Sequence, residues 1–247
     1  MPIELASWQG NGSNELLMKL GRAEIQSWLD AVAPGTGLVR LAQLSNLPRL
    51  RVTQQVGRGS VAPSTVSAIA RGLGLDPLTE LRRFEQFINV IPGTPSPDEM
   101  ATFIPTPGLL QAMVHRLNSV VTTEDELGDE TYEHAATYWF ACADDGNLRA
   151  HIQQELGIAQ STLWKMLRVR LREDVSLEIA RYANFPLVSA LVVSGVLTGK
   201  EAGWDTDCRS DWVNNVPLGQ LLAVTEKRLH EVGKQVRNLE TFENHLG

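Results

Sequence analysis

Leu148-Arg-Ala-His-Ile-Gln-Gln-Glu-Leu-Gly-Ile-Ala-Gln-Ser-Thr-Leu-Trp-Lys-Met-Leu-Arg168 is the stretch on which the reading of this chain turns. Leu148, Ile152 and Leu156 fall four apart, the spacing that lines one face of an α-helix. Gly157 can take the left-handed conformation that ends such a helix. Ile158 plugs the turn. A second helix is expected over Ala159–Arg168, with Leu163 and Met166 or Leu167 facing inward. Two helices joined by a three- or four-residue turn containing glycine make a helix-turn-helix. The second helix of such a pair reaches base edges in a DNA major groove by its N-terminal end, so that end needs short polar residues. Gln160, Ser161, Thr162 and Lys165 meet that need, and Arg168, Arg170 and Arg172 follow as candidate phosphate-holding cations. A third helix, Val175–Ala183, would brace the pair.

The chain also repeats itself. Ser67-Ala-Ile-Ala-Arg71 resembles Leu177-Glu-Ile-Ala-Arg181, and Asp76-Pro-Leu-Thr-Glu-Leu81 resembles Phe185-Pro-Leu-Val-Ser-Ala-Leu191. Leu47 to Val52 lines up with Ile158 to Leu163 at nearly the same offset. Three matches in one order point to duplication of a helical unit. In the first copy Asn46 stands where the second has its turn glycine, and asparagine also tolerates the left-handed region. Its second helix is expected over Pro48–Val56, with Arg49, Arg51, Thr53, Gln54, Gln55 and Arg58 as the polar set. Arginine can pair bidentately with guanine and glutamine with adenine. Before it, Leu16, Leu17, Leu20, Ile25, Trp28, Leu29 and Val32 recur at helical spacing up to Pro34-Gly35.

Residues 156–167 resemble the helix-turn-helix core of the Cro/CI-type (lambda-repressor-like, XRE) regulators of bacteria and phages. Residues 58–77 are similar to the loop and following helix of the same family, with an Arg-Gly, a Pro-Ser and an Ile-Ala…Leu-Gly. The Glu-Arg-Gly usual after the second helix is missing beyond Arg168, and the first copy is one residue long before Gly59. The resemblance implies a transcriptional regulator that occupies a double-stranded DNA operator, by default a repressor of phage or prophage immunity type, acting in the cytosol at the nucleoid. It implies no cofactor.

Net charge is −7, yet Leu38 to Arg83 carries seven arginines against two acids, and Leu148 to Leu197 six basic residues against four acidic. Between them, Phe84 to Asn147 holds one basic residue and eleven acids. Two basic islands around an acidic centre suit local phosphate contact, which depends on the patch and not on the whole-chain charge. The acidic run Glu124 to Glu133 reads as solvated surface. No apolar run approaches the roughly 20 residues of a membrane span, and the first residues lack the pattern of a signal peptide. Cys142 and Cys208 have no metal-ligand spacing, the five histidines form no His-x-x-x-His, and Gly57-Arg-Gly59 and Gly72-Leu-Gly74 lack the context of a phosphate loop. No nucleophile or clustered acid suggests an enzyme, a recombinase included.

The tail carries Leu218, Leu222, Thr225, Leu229, Val232, Val236, Leu239 and Leu246 on a 4-3 spacing broken only at Glu243, a heptad seam of about four repeats. Leu222, Leu229, Val232, Val236 and Leu239 are the candidate dimerisation residues, and Asn214 or Asn215 the candidate cap. The expected architecture is all-α: a helix-turn-helix domain over 1–90, a proline-rich linker over 91–108, a second helical domain with its own unit over 109–200, and a loop and amphipathic helix over 201–247. The alternative function is a protein-interaction module, an antitoxin or adaptor, on the same helices.

Overall fold

The computed structural model describes residues 22–128 and 135–246. Leu16, Leu17 and Leu20, the acids between 129 and 133, and the side chain of Leu239 lie outside what is described. Fourteen α-helices and three 3-10 turns build the described residues, with no strand among them. None of these helices is long and apolar enough to cross a membrane.

The first run is α1 (Arg22–Val32), α2 (Leu38–Leu44), α3 (Arg49–Arg58), α4 (Pro63–Gly72) and α5 (Pro77–Leu81). Next come α6 (Pro97–Met100) and α7 (Thr106–Leu117). A second run follows: α8 (Ala135–Ala143), α9 (Leu148–Leu156), α10 (Gln160–Val169), α11 (Glu173–Ala183) and α12 (Leu187–Val193). Then α13 (Cys208–Asn215) and α14 (Leu218–Leu246) complete the described chain. The helix expected at Pro48 begins one residue later, because Pro48 takes an extended ψ of 127° and stands just outside. The bracing helix begins two residues before Val175, at Glu173, whose acid suits a helix N-terminus.

The two runs of five helices match in order. The reason is visible at the turns. Asn46 (φ 52°) and Gly157 (φ 64°) both end a helix in the left-handed region, and so do Gly74 (φ 71°) and Asn184 (φ 56°). Glycine and asparagine are among the few residues that adopt that region readily, and the two exchange places between the copies. Inward residues correspond as well: Val52 and Val56 of α3, and Leu163 and Leu167 of α10, are all buried. Trp28 of α1 donates its indole N–H to Glu80 Oε2 at 2.9 Å, and Trp139 of α8 donates to Glu99 Oε1 at 3.1 Å. Each tryptophan thereby fills a core and satisfies a buried carboxylate.

One hydrophobic core runs through both repeats, from Ile25 and Val52 to Trp139, Leu167 and Trp204. Phe103 meets Trp204 edge-on, with ring centroids 4.6 Å apart, and the Gly93 amide donates to the Ala202 carbonyl at 3.0 Å. The proline-rich stretch, which reads from sequence as a linker or surface loop, therefore has two parts. Ile91 is exposed, whereas Glu99, Met100, Phe103 and Ile104 are buried. Ser96 and Glu99 cap α6 reciprocally. A second, smaller core joins α7 (Leu109, Ala112) to Leu127, Val213, Val216 and Leu221, so α7 packs with the last two helices. The acidic segment is anchored there: Glu124 pairs with buried Arg209 and accepts from the Ser210 amide at 2.9 Å. Neither tail asparagine caps α14. Asn214 exchanges hydrogen bonds with the Thr122 backbone, and Asn215 donates to the Asp211 carbonyl.

Gly72 marks the closest approach of α4 to α2. A Cβ there would sit 2.5 Å from the Leu44 carbonyl oxygen. Backbone cannot swing aside as a side chain can, so Gly72→Ala is expected to destabilise the fold by about 1–3 kcal/mol. Urea unfolding of the variant gives the check; an unchanged midpoint would show that the two helices part freely.

Arg71 on α4 ties the repeats from outside the core. Its guanidinium meets Glu201 through two contacts of 2.6 Å and donates to the Val196 carbonyl at 2.7 Å. Burial pushes the Glu201 carboxyl up, but Arg71 and Thr198 outweigh it and hold it below the ordinary glutamate value. A depressed carboxylate adds stability above its unfolded pKa and loses that contribution as pH falls through the folded one. Thermal melts between pH 3 and 6, read with the usual glutamate pKa of roughly 4.3 in mind, should therefore drop less steeply in acid for Glu201→Gln than for the parent chain. Parallel curves would remove Glu201 from the acid response.

Candidate nucleic-acid interface

Helix α3 hides Val52 and Val56 and turns Arg49, Leu50, Thr53, Gln54 and Arg58 to solvent. Helix α10 hides Leu163 and Leu167 and exposes Gln160, Ser161, Thr162, Trp164, Lys165 and Arg168. Of the two inward choices at the end of α10, Leu167 is the buried one and Met166 only packs against the core. Neither helix has an acidic residue in its first turn, and neither N-terminus is capped by a side chain. Their first amides keep free N–H groups at the positive end of the helix dipole, a setting that favours phosphate oxygens and other acceptors.

The sequence-selected residues divide by what they already touch. Arg49, Arg58, Lys165, Arg168 and Arg170 are exposed and have no carboxylate partner among the described residues. Gln54, Gln160, Ser161 and Thr162 are exposed beside them. Others are engaged within the protein. Arg51 is half-buried and donates to the Ser64 hydroxyl at 3.0 Å. Gln55 accepts from the Ala62 amide at 3.2 Å, which braces the loop into α4. The Thr53 hydroxyl donates back to the Arg49 carbonyl at 2.9 Å. Arg172 forms a two-contact pair with Asp174, next door but one in sequence.

No family profile, curated protein or solved structure matches this chain.

The geometry adds residues that sequence reasoning passed over. Arg149, near the start of α9, lies over the Trp164 ring at 5.0 Å and within 3.3 Å of Asp144. It fixes one face of the only tryptophan on the exposed side of α10. Sequence spacing cannot reveal a contact between separate helices, although Arg149 belongs to the second basic island. Leu50 is 67% and Val169 82% exposed, apolar side chains at positions where a thymine methyl or another apolar group could be met. No group of three or more metal-ligating side chains occurs among the described residues.

Proposed function

We propose that the chain is a sequence-specific double-stranded DNA-binding regulator, most simply a repressor, that reads its operator with two helix-turn-helix units, α2–α3 and α9–α10. The observation that carries the reading is the recurrence, on two corresponding helices, of an uncapped, acid-free N-terminus beside unpaired cations and short polar side chains. In this mechanism Arg49, Arg58, Lys165, Arg168 and Arg170 hold phosphates and set register, while Gln54, Gln160, Ser161 and Thr162 read base edges. The role is passive: an occupied promoter excludes the transcription machinery. The resemblance to Cro/CI-type regulators supports the same assignment, and the proposal extends to a phage or prophage immunity setting in the cytosol, at the nucleoid. The heptad seam of α14 supports a homodimer, which would favour a pseudo-palindromic operator.

A second reading, a protein-interaction module of antitoxin or adaptor type, is favoured by the exposed Leu50 and Val169 on the same helices. Selection of random duplexes by the full chain separates the two. An enriched site with two separable blocks supports the regulator. Binding no tighter than the roughly micromolar non-specific level at physiological salt would transfer the surface to a protein partner.

A further inference from the structure

We infer that α7 and α14 together form one self-pairing face, so that two copies of this chain meet through four helices and not through their tails alone. The inference deepens the tail-mediated homodimer proposed above and rests on that part of it only.

The two helices run antiparallel. Arg116, at the end of α7, donates to the carbonyls of Val213, Asn214 and Val216, just before α14 begins. Arg228, well along α14, donates to the Ala101 carbonyl, before α7 begins. Leu110, Val114 and Leu117 form an exposed stripe on α7. Leu218, Leu222, Leu229, Val232 and Val236 form one on α14. At the α-helical turn per residue, the α7 stripe lies roughly 120° and the α14 stripe roughly 60° round from the core-facing residues of its own helix, in the same rotational sense. For antiparallel neighbours, rotation in the same sense leads to the same side of the pair, so the stripes adjoin.

Size identifies the occupant. These side chains leave on the order of 700 Å² in water per copy, beyond the roughly 300–600 Å² of the largest patch on a typical monomer. Two copies meeting face to face would cover on the order of 1,400 Å², inside the roughly 1,200–2,000 Å² of a stable specific interface. The α14 stripe keeps the 4-3 period of helices that mesh with helices except at Thr225, which is buried against its own domain and donates to the Leu221 carbonyl. The helix continues past that domain: from Leu229 onward none of its described side chains is buried. Both signs of charge stand beside the seam, with Glu231 paired to Lys234 at 2.8 Å.

Sedimentation equilibrium of the full chain without DNA, from about 1 to 100 µM, tests the inference. The expected mass is twice 27.2 kDa. Leu229→Glu, on the tail, and Leu117→Glu, on α7 and outside the heptad, should each weaken the dimer at least tenfold with unchanged helical circular dichroism. Ile91→Glu, the same charge at an exposed apolar residue outside both helices, should leave the mass unaltered. A monomer throughout the range would overturn the proposal and hand the face to another partner. A dimer indifferent to Leu117→Glu would overturn the four-helix form. Since no DNA is present, failure of the operator reading leaves these outcomes untouched.

Discussion

Replacing Gln160 and Lys165 together by alanine is expected to weaken binding to the selected operator by about 10- to 1,000-fold. Both residues are exposed on the outer side of α10, and Lys165 has no carboxylate to release before it meets a phosphate. A good base contact contributes about 1–3 kcal/mol of discrimination, and a lost phosphate contact weakens all sequences alike and flattens the log–log salt dependence by about 0.9. Anisotropy titrations over a salt series read both effects. The partner geometry sets a contrast. Arg172→Ala should matter less, because Arg172 is already paired with Asp174. Gln55→Ala should reduce stability before affinity, because it frees the Ala62 amide. No loss at Lys165 would take α10 off the DNA, whereas equal losses at Lys165 and Arg172 would show that the Asp174 pair does not hold Arg172 back.

The second large effect is on the fold. Trp139 is fully buried, and truncation of such a residue leaves a cavity. Trp139→Ala should cost about 3–5 kcal/mol, a large share of the roughly 5–15 kcal/mol that holds a domain folded. Trp139→Phe is the informative companion. It keeps most of the volume but removes the donor to Glu99 Oε1, and an unsatisfied buried acceptor costs about 1–3 kcal/mol. Glu99 retains the Ser96 amide and hydroxyl on its other oxygen, which keeps the expectation toward the low end. Denaturant midpoints of the two variants separate packing from hydrogen bonding. A phenylalanine variant as stable as the parent would reduce the indole contact to a bystander.

Local chemistry was largely legible in the sequence. Helix α9 occupies the residues its leucine spacing marks, and the left-handed turns fall on Asn46 and Gly157 because few other residues tolerate them. Spacing could not show which polar side chains are already in use. Arg51 and Arg172 look alike as free cations until Ser64 and Asp174 are seen beside them. Nor could proline content show that Glu99 and Phe103 are interior, since burial of an irregular segment depends on what crosses over it. The heptad reading marked Leu222 and Leu229 but gave no sign that α7 would lie antiparallel alongside them.

The core common to both repeats has a thermodynamic meaning. In a chain of separate beads each bead melts on its own, and a state with one closed and one open is readily populated. Here Ile25 and Val52 belong to the same cluster as Trp139 and Leu167, and Arg71 bridges to Glu201 at the rim. Opening either repeat exposes apolar surface of the other, so half-open states are penalised and a single melting transition follows. Concerted behaviour is the expectation: the exposed faces of α3 and α10 persist together or vanish together.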